Sequence, residues 1–129
     1  MSYDAAAILD CYACGAHALN RTPVDPTDTV VVLGTGAIGF TLGQLAKTYG
    51  AGRVVMVWTR HEQLKIAMEA GATDLVVANP KHDPVEAVME ITVGNGADSV
   101  FETVGGSAPT MSQATDMSRN GGAISVLGL

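Results

Sequence analysis

The sequence predicts a doubly wound α/β fold: a parallel sheet with about five of six strands present, preceded by a helix. Two observations carry this. Short β-branched runs alternate with helix-period segments along the chain, which builds strand-helix-strand units with right-handed crossovers. Most of those runs are apolar throughout rather than alternating, as in strands buried on both sheet faces.

The elements follow in order. Residues 5 to 20 read as a leading helix. Thr29-Val30-Val31-Val32-Leu33 is the first strand, and Gly34 follows at once. Ile38, Leu42, Leu45, Ala46 and Tyr49 then recur at helical spacing, and Gly50 and Gly52 stop that helix. Arg53 to Trp58 is the second strand, and a helix from about His61 to Ala70 ends at Gly71. Leu75 to Ala78 is a third strand. Asp83, Pro84 and Glu86 mark a helix start, as N-cap, first helical residue and capping-box partner, and Val85, Val88, Met89 and Thr92 carry its buried stripe. Ser99 to Val104 is the fourth strand, Ser107 to about Arg119 a helix, and Ala123 to Leu127 the fifth strand. No repeat or linker interrupts them. Residues 1–129 are expected to form a single domain, incomplete at its C-terminus because a sixth strand is missing, with residues 5–20 at the junction to a second domain.

Composition narrows the function. The chain has 129 residues, 47% hydrophobic and 16% charged, the balance of a packed domain. Seven Lys and Arg against 13 Asp and Glu give a net charge of -6, which argues against a nucleic-acid partner. No apolar run is long enough to span a membrane and no signal peptide opens the chain, so a cytoplasmic setting is expected. Cys11 and Cys14 are the two cysteines. Their spacing suggests a redox or metal pair, but no second pair or His cluster accompanies them, and buried apolar thiols are the simpler reading.

Gly34-Thr35-Gly36-Ala37-Ile38-Gly39 is a full G-x-G-x-x-G between a strand and a helix. Gly34 permits the tight turn, Gly36 lets the backbone approach a pyrophosphate, and Gly39 lets the helix lie close on the strand. The N–H groups at the helix start would hold the anion. These residues predict a Rossmann-type dinucleotide site; a ligand-free strand-to-helix turn is the alternative.

An NAD-preferring site ends its second strand in Asp or Glu. Here Trp58-Thr59-Arg60 stand there, with no carboxylate before Glu62. A carboxylate about 4 Å from a 2′-phosphate would repel it by about 4 kcal/mol per charge pair at an effective dielectric of about 20. Without it, Arg60 can offer a planar fork to the phosphate and Thr59 a hydroxyl. Arg60 can equally be a solvated charge, and His61 is more simply solvated than a ligand group. Trp58 either caps the sheet edge or walls the adenine. The expected cofactor is NADP, with NAD as the alternative.

Taken together, the stretches Thr29 to Gly39, Gln44 to Lys47, Gly50 to Val55, Gly71 to Asp74, Phe101 to Gly106 and Gly121 to Leu129 resemble the medium-chain, zinc-dependent alcohol dehydrogenases. Val57 to Arg60 resembles the NADP-dependent secondary alcohol dehydrogenase variant, although Trp58 replaces the small residue usual there. The resemblance implies a parent enzyme that moves hydride between an alcohol or carbonyl substrate and NADP. It also implies zinc in that parent and a homo-oligomer. It places Asp10 at a catalytic-zinc ligand position, the other ligands lying in a separate domain; a helix-surface charge is the alternative for Asp10, and local packing for His17. It further places Thr103, Val104, Leu127, Gly128 and Leu129 near the nicotinamide riboside. No catalytic residue is expected within this chain, which by itself should bind cofactor at most. The competing readings are a zinc-free quinone reductase, a non-catalytic nucleotide-sensing module and an S-adenosylmethionine methyltransferase.

Overall fold

A computed structural model describes the backbone of residues 1–129 and every side chain except those of His61 and Leu64. Two helices lead, α1 (Tyr3–Ala7) and α2 (Leu9–Arg21), where the sequence suggested one. Ile8, at φ -104° and ψ 1°, leaves the helical region and separates them. Ser2 caps α1, its hydroxyl accepting from the Ala5 N–H.

The sheet follows: β1 (Thr29–Leu33), α3 (Ala37–Thr48), β2 (Arg53–Trp58), a 3-10 turn (His61–Gln63), α4 (Leu64–Glu69), β3 (Asp74–Val77), α5 (Pro84–Ile91), β4 (Ala97–Glu102), α6 (Thr110–Met117) and β5 (Ser118–Val126). Asp83 caps α5 as expected, its carboxylate accepting from the Val85 N–H. The five strands are all parallel, in the order β3-β2-β1-β4-β5. The chain therefore reverses its direction of travel across the sheet between β1 and β4, and the crevice outside their carboxyl ends is where such sheets take ligands.

Alternation within the strands feeds two cores. Val30, Val32, Val54, Met56, Trp58 and Phe101 pack on one face with Leu19, Leu42 and Ala46. Val31, Leu33, Val55, Val57 and Val100 pack on the other with Val88, Ala114 and Met117. These strands are buried on both sides, which is why they read as apolar runs.

Several boundaries depart from the expectation. The helix from His61 opens as a 3-10 turn, and the side chain of His61 lies outside the described residues. β4 begins two residues early, where Ala97 pairs with Ser118, and ends two residues early, where the N–H groups of Val104 and Gly105 turn to the Glu102 carboxylate. α6 is shorter than expected at both ends: Pro109 precedes it, and Ser118 at φ -75° and ψ 142° passes directly into β5. β5 starts five residues early and carries a register shift, Ala97 facing Ser118 and Ser99 facing Ala123. It is also the sheet's exposed edge, with Ile124 and Val126 open to solvent.

Candidate functional site

β1 delivers the glycine loop to the crevice. Gly34 has φ +102°, the region that favours glycine, and a Cβ there would stand 2.7 Å from Thr103 Oγ1 and Val104 Cγ2. Gly36 precedes α3 as its N-cap, and no side chain caps that end. The first-turn amides of α3 therefore face outward without a side-chain acceptor. A Cβ on Gly36 would meet nothing within 4 Å, so the backbone here borders open space. A Cβ on Gly39 would stand 2.2 Å from the Gly34 carbonyl oxygen, so of the three glycines only Gly36 leaves room for another molecule.

Two cavities flank the loop. The first, about 380 Å³, lies over the ends of β1, β2 and β4; Gly34, Thr35 and Gly36 form one side, and Trp58, Thr59, Val104 and Thr110 face it. The second, about 400 Å³, opens between α2, α3 and β5, bounded by Cys14, His17, Arg21, Ile38 and Leu127. Both volumes suit parts of a small-molecule site.

The predicted residues divide between them. Thr103 and Val104 share the first cavity with Trp58 and Thr59, whereas Leu127 lines the second with Ile38. Gly128 and Leu129 line neither; they bind back to the loop after β4, the Gly128 N–H to the Glu102 carbonyl at 3.1 Å and the Leu129 carbonyl to the Gly106 N–H at 3.1 Å. Gly39 is buried beneath the loop, and Ala37 borders a separate groove with Tyr12 and Phe40. Trp58 is 2% exposed and stacks edge-on against Phe40, ring centroids 5.1 Å apart, so its side chain serves the core while its edge touches the cavity. Arg60 is exposed and lines neither cavity.

Asp10 is exposed in the first turn of α2. Among the described residues no group of three or more His, Cys, Asp and Glu side chains converges to hold a metal ion, so these residues do not by themselves form a zinc site. Cys11 and Cys14 are unbridged and half-buried rather than fully buried, and Cys14 and His17 both reach the second cavity.

Glu102 is the residue that periodicity alone did not single out. It is fully buried at the end of β4, and its Oε1 accepts from the N–H groups of Val104 and Gly105, each at 2.9 Å, and from the Thr110 hydroxyl at 2.7 Å. Burial opposes its ionisation, but the bonds from Gly105, Thr110 and Val104 outweigh it and hold its pKa below the ordinary value of 4.5. An acid directly after the apolar pair Val100-Phe101, at the end of a strand, is the sequence signal for it.

Comparison with known proteins agrees with this geometry. The family described as Zinc-binding dehydrogenase matches residues 37–129. Sorbitol dehydrogenase of Bacillus subtilis (strain 168) is 31% identical over 129 residues, covering all of this chain and 36% of that protein. NADP-dependent isopropanol dehydrogenase of Clostridium beijerinckii is 37% identical, over 95% of this chain and 34% of that one. The solved structure of alcohol dehydrogenase TADH from Thermus sp. ATN1 superimposes with a TM-score of 0.84 at 32% identity, over 92% of this chain and 34% of that chain. The chain thus spans about a third of the length of the relatives it matches. With residues 37–129 matched by the family and the fold shared with a solved relative at 32% identity, the chain belongs to the zinc-binding, medium-chain alcohol dehydrogenase family.

Proposed function

We propose that this chain is the nicotinamide-cofactor-binding segment of an alcohol dehydrogenase-like oxidoreductase that uses NADP. The open backbone at Gly36, lining the first cavity at the start of α3, carries the reading. The N–H groups opening α3 bind the pyrophosphate, aided by the helix dipole. The adenosine half lies in the first cavity against Trp58 and Thr59. Thr103 and Val104, expected near the nicotinamide riboside, are assigned to that cavity instead, and the nicotinamide half lies in the second against Ile38 and Leu127. Gly128 and Leu129 support the sheet edge between them.

Thr59 and Arg60 receive the 2′-phosphate. An exposed Arg next to a cavity-lining Thr can swing onto an anion, and no carboxylate at the strand end repels one. The name of the isopropanol dehydrogenase relative supports NADP over NAD, and the sorbitol and isopropanol dehydrogenase relatives favour the alcohol-oxidising reading over the quinone-reductase and nucleotide-sensing alternatives. When bound, the cofactor supplies a hydride acceptor. Asp10 is proposed as one zinc ligand, its companions contributed from outside this chain, and no step is derived through the metal. A small-molecule alcohol or carbonyl substrate, a homo-oligomeric parent and a cytoplasmic setting belong to the same proposal. Among the described residues no helix is long and apolar enough to cross a membrane.

The test is a paired titration with NADPH and NADH, read by Trp58 emission and by calorimetry. NADPH is expected to bind more tightly. Arg60→Ala should erase that preference, with a loss of about 1.5–3 kcal/mol for a charged hydrogen bond. Tighter NADH binding would overturn the assignment of Thr59 and Arg60.

A further inference from the structure

We propose that Glu102 is a positioning residue that couples the two cavities, tying the Val104 and Thr110 wall of the first to the Leu127 wall of the second. The inference rests on reading those cavities as two halves of one cofactor site. Its basis is a single hydrogen-bonded knot at the end of β4.

The side chain of Glu102 reaches toward the first cavity. Its Oε1 gathers three donors, from Val104, Gly105 and Thr110, and two of those residues line that cavity. The main chain of the same residue reaches toward the second. Its carbonyl accepts the Leu127 N–H at 2.8 Å and the Gly128 N–H at 3.1 Å, and Leu127 lines that cavity.

Oε2 is buried and has no hydrogen-bond partner among the described residues. Gly128 presses against it: a Cβ on Gly128 would stand 2.6 Å from Oε2 and 2.3 Å from the Gly105 nitrogen. The loop after β4 and the exit of β5 are therefore packed onto the two faces of one carboxylate. Neither segment can move without disturbing the other.

Filling space does not account for this choice of side chain. An apolar residue of similar volume would fill the site without desolvating a charge. An orphaned buried oxygen is itself destabilising. What a carboxylate adds is an acceptor reached by donors two, three and eight residues onward, on both sides of the loop that leads to α6. That fixes the loop's path, and with it the spacing of Val104 and Thr110 from the glycine loop.

The test combines amide hydrogen exchange of the cofactor-free chain with NADPH titration, in wild type, Glu102→Ala and Glu102→Gln. In Glu102→Ala, exchange should rise about tenfold or more at Val104 and Gly105, and equally at Leu127 and Gly128, whose own bonds go to the main chain. Its NADPH Kd should rise about tenfold, and Glu102→Gln, which keeps an acceptor oxygen, should recover part of both effects. A rise confined to Val104 and Gly105, or a lower melting temperature with an unchanged Kd well below it, would overturn the coupling. Should Glu102→Ala not fold, exchange at Leu127 and Gly128 in Glu102→Gln decides: above wild type supports the proposal, equal to wild type refutes it. Should wild type bind neither NADPH nor NADH, the cofactor assignment fails, and the exchange pattern still decides whether Glu102 couples the two walls.

Discussion

Gly39 lies so close beneath Gly34 that a Cβ on Gly39 would stand 2.2 Å from the Gly34 carbonyl oxygen. That approach packs the first turn of α3 against the loop. Gly36, in the same loop, borders open space. The two glycines are therefore separable by experiment. Gly39→Ala should destabilise the fold by about 2 kcal/mol or more, because backbone rather than a side-chain tip must give way. Gly36→Ala, at φ -73°, should leave stability nearly unchanged and weaken NADPH binding about tenfold or more. Urea unfolding and calorimetry of both variants check the pair; equal stability losses would contradict the assignment.

Thr103, the residue after β4, fastens the end of that strand to the end of β1. Its N–H and its hydroxyl both donate to the Leu33 carbonyl, at 2.9 and 2.8 Å. Thr103→Val removes the second bond while the first still satisfies the carbonyl. A loss of about 1 kcal/mol in urea unfolding is expected.

Trp58 ends β2 inside the core, packed against Phe40. Trp58→Ala should cost about 3–5 kcal/mol, as for a large aromatic truncated in a packed interior. A loss below about 1 kcal/mol by chemical unfolding would mean that the ring serves mainly the ligand side.

Glu102 titrates below its ordinary value, so the unfolded chain takes up its proton first as the pH falls. Its contribution to stability is thus complete above pH 4.5 and is lost as the pH falls through the lower folded value. Asp25, also held low by its bonds from Thr27, titrates in the same direction, so the comparison must be made between variants. Wild type should lose more stability than Glu102→Gln between pH 5 and pH 3, that window being about the span of ordinary and lowered carboxyl values. Parallel pH profiles would show that folding leaves the Glu102 pKa unshifted.

Zinc should do little to this chain alone, since no set of three ligands converges among the described residues. Adding zinc or a chelator is expected to leave the melting temperature and the NADPH affinity unchanged. A clear zinc-dependent rise in melting temperature would reveal a site assembled from Asp10 and groups that do not converge with it in this structure.

Features under local chemical control were legible in the order of residues alone. Apolar runs such as Val30 to Leu33 and Val54 to Val57 announce strands covered on both faces. Asp83 and Pro84 start α5 through contacts within one helical turn, and Gly34 to Gly39 spell out a loop whose geometry depends on absent side chains. Features that depend on strand order emerge with the packed sheet. Placing β4 between β1 and β5 brings Thr103 and Val104 beside Trp58 rather than Leu127, and it turns Glu102 into an acceptor for segments on both sides of it. The early start and register shift of β5 have the same origin, because Ser118 finds its partner in Ala97 across the sheet. Periodicity and capping act over about four residues. The pairing of β4 with β5 joins residues about twenty apart and is set by the packing of the whole sheet.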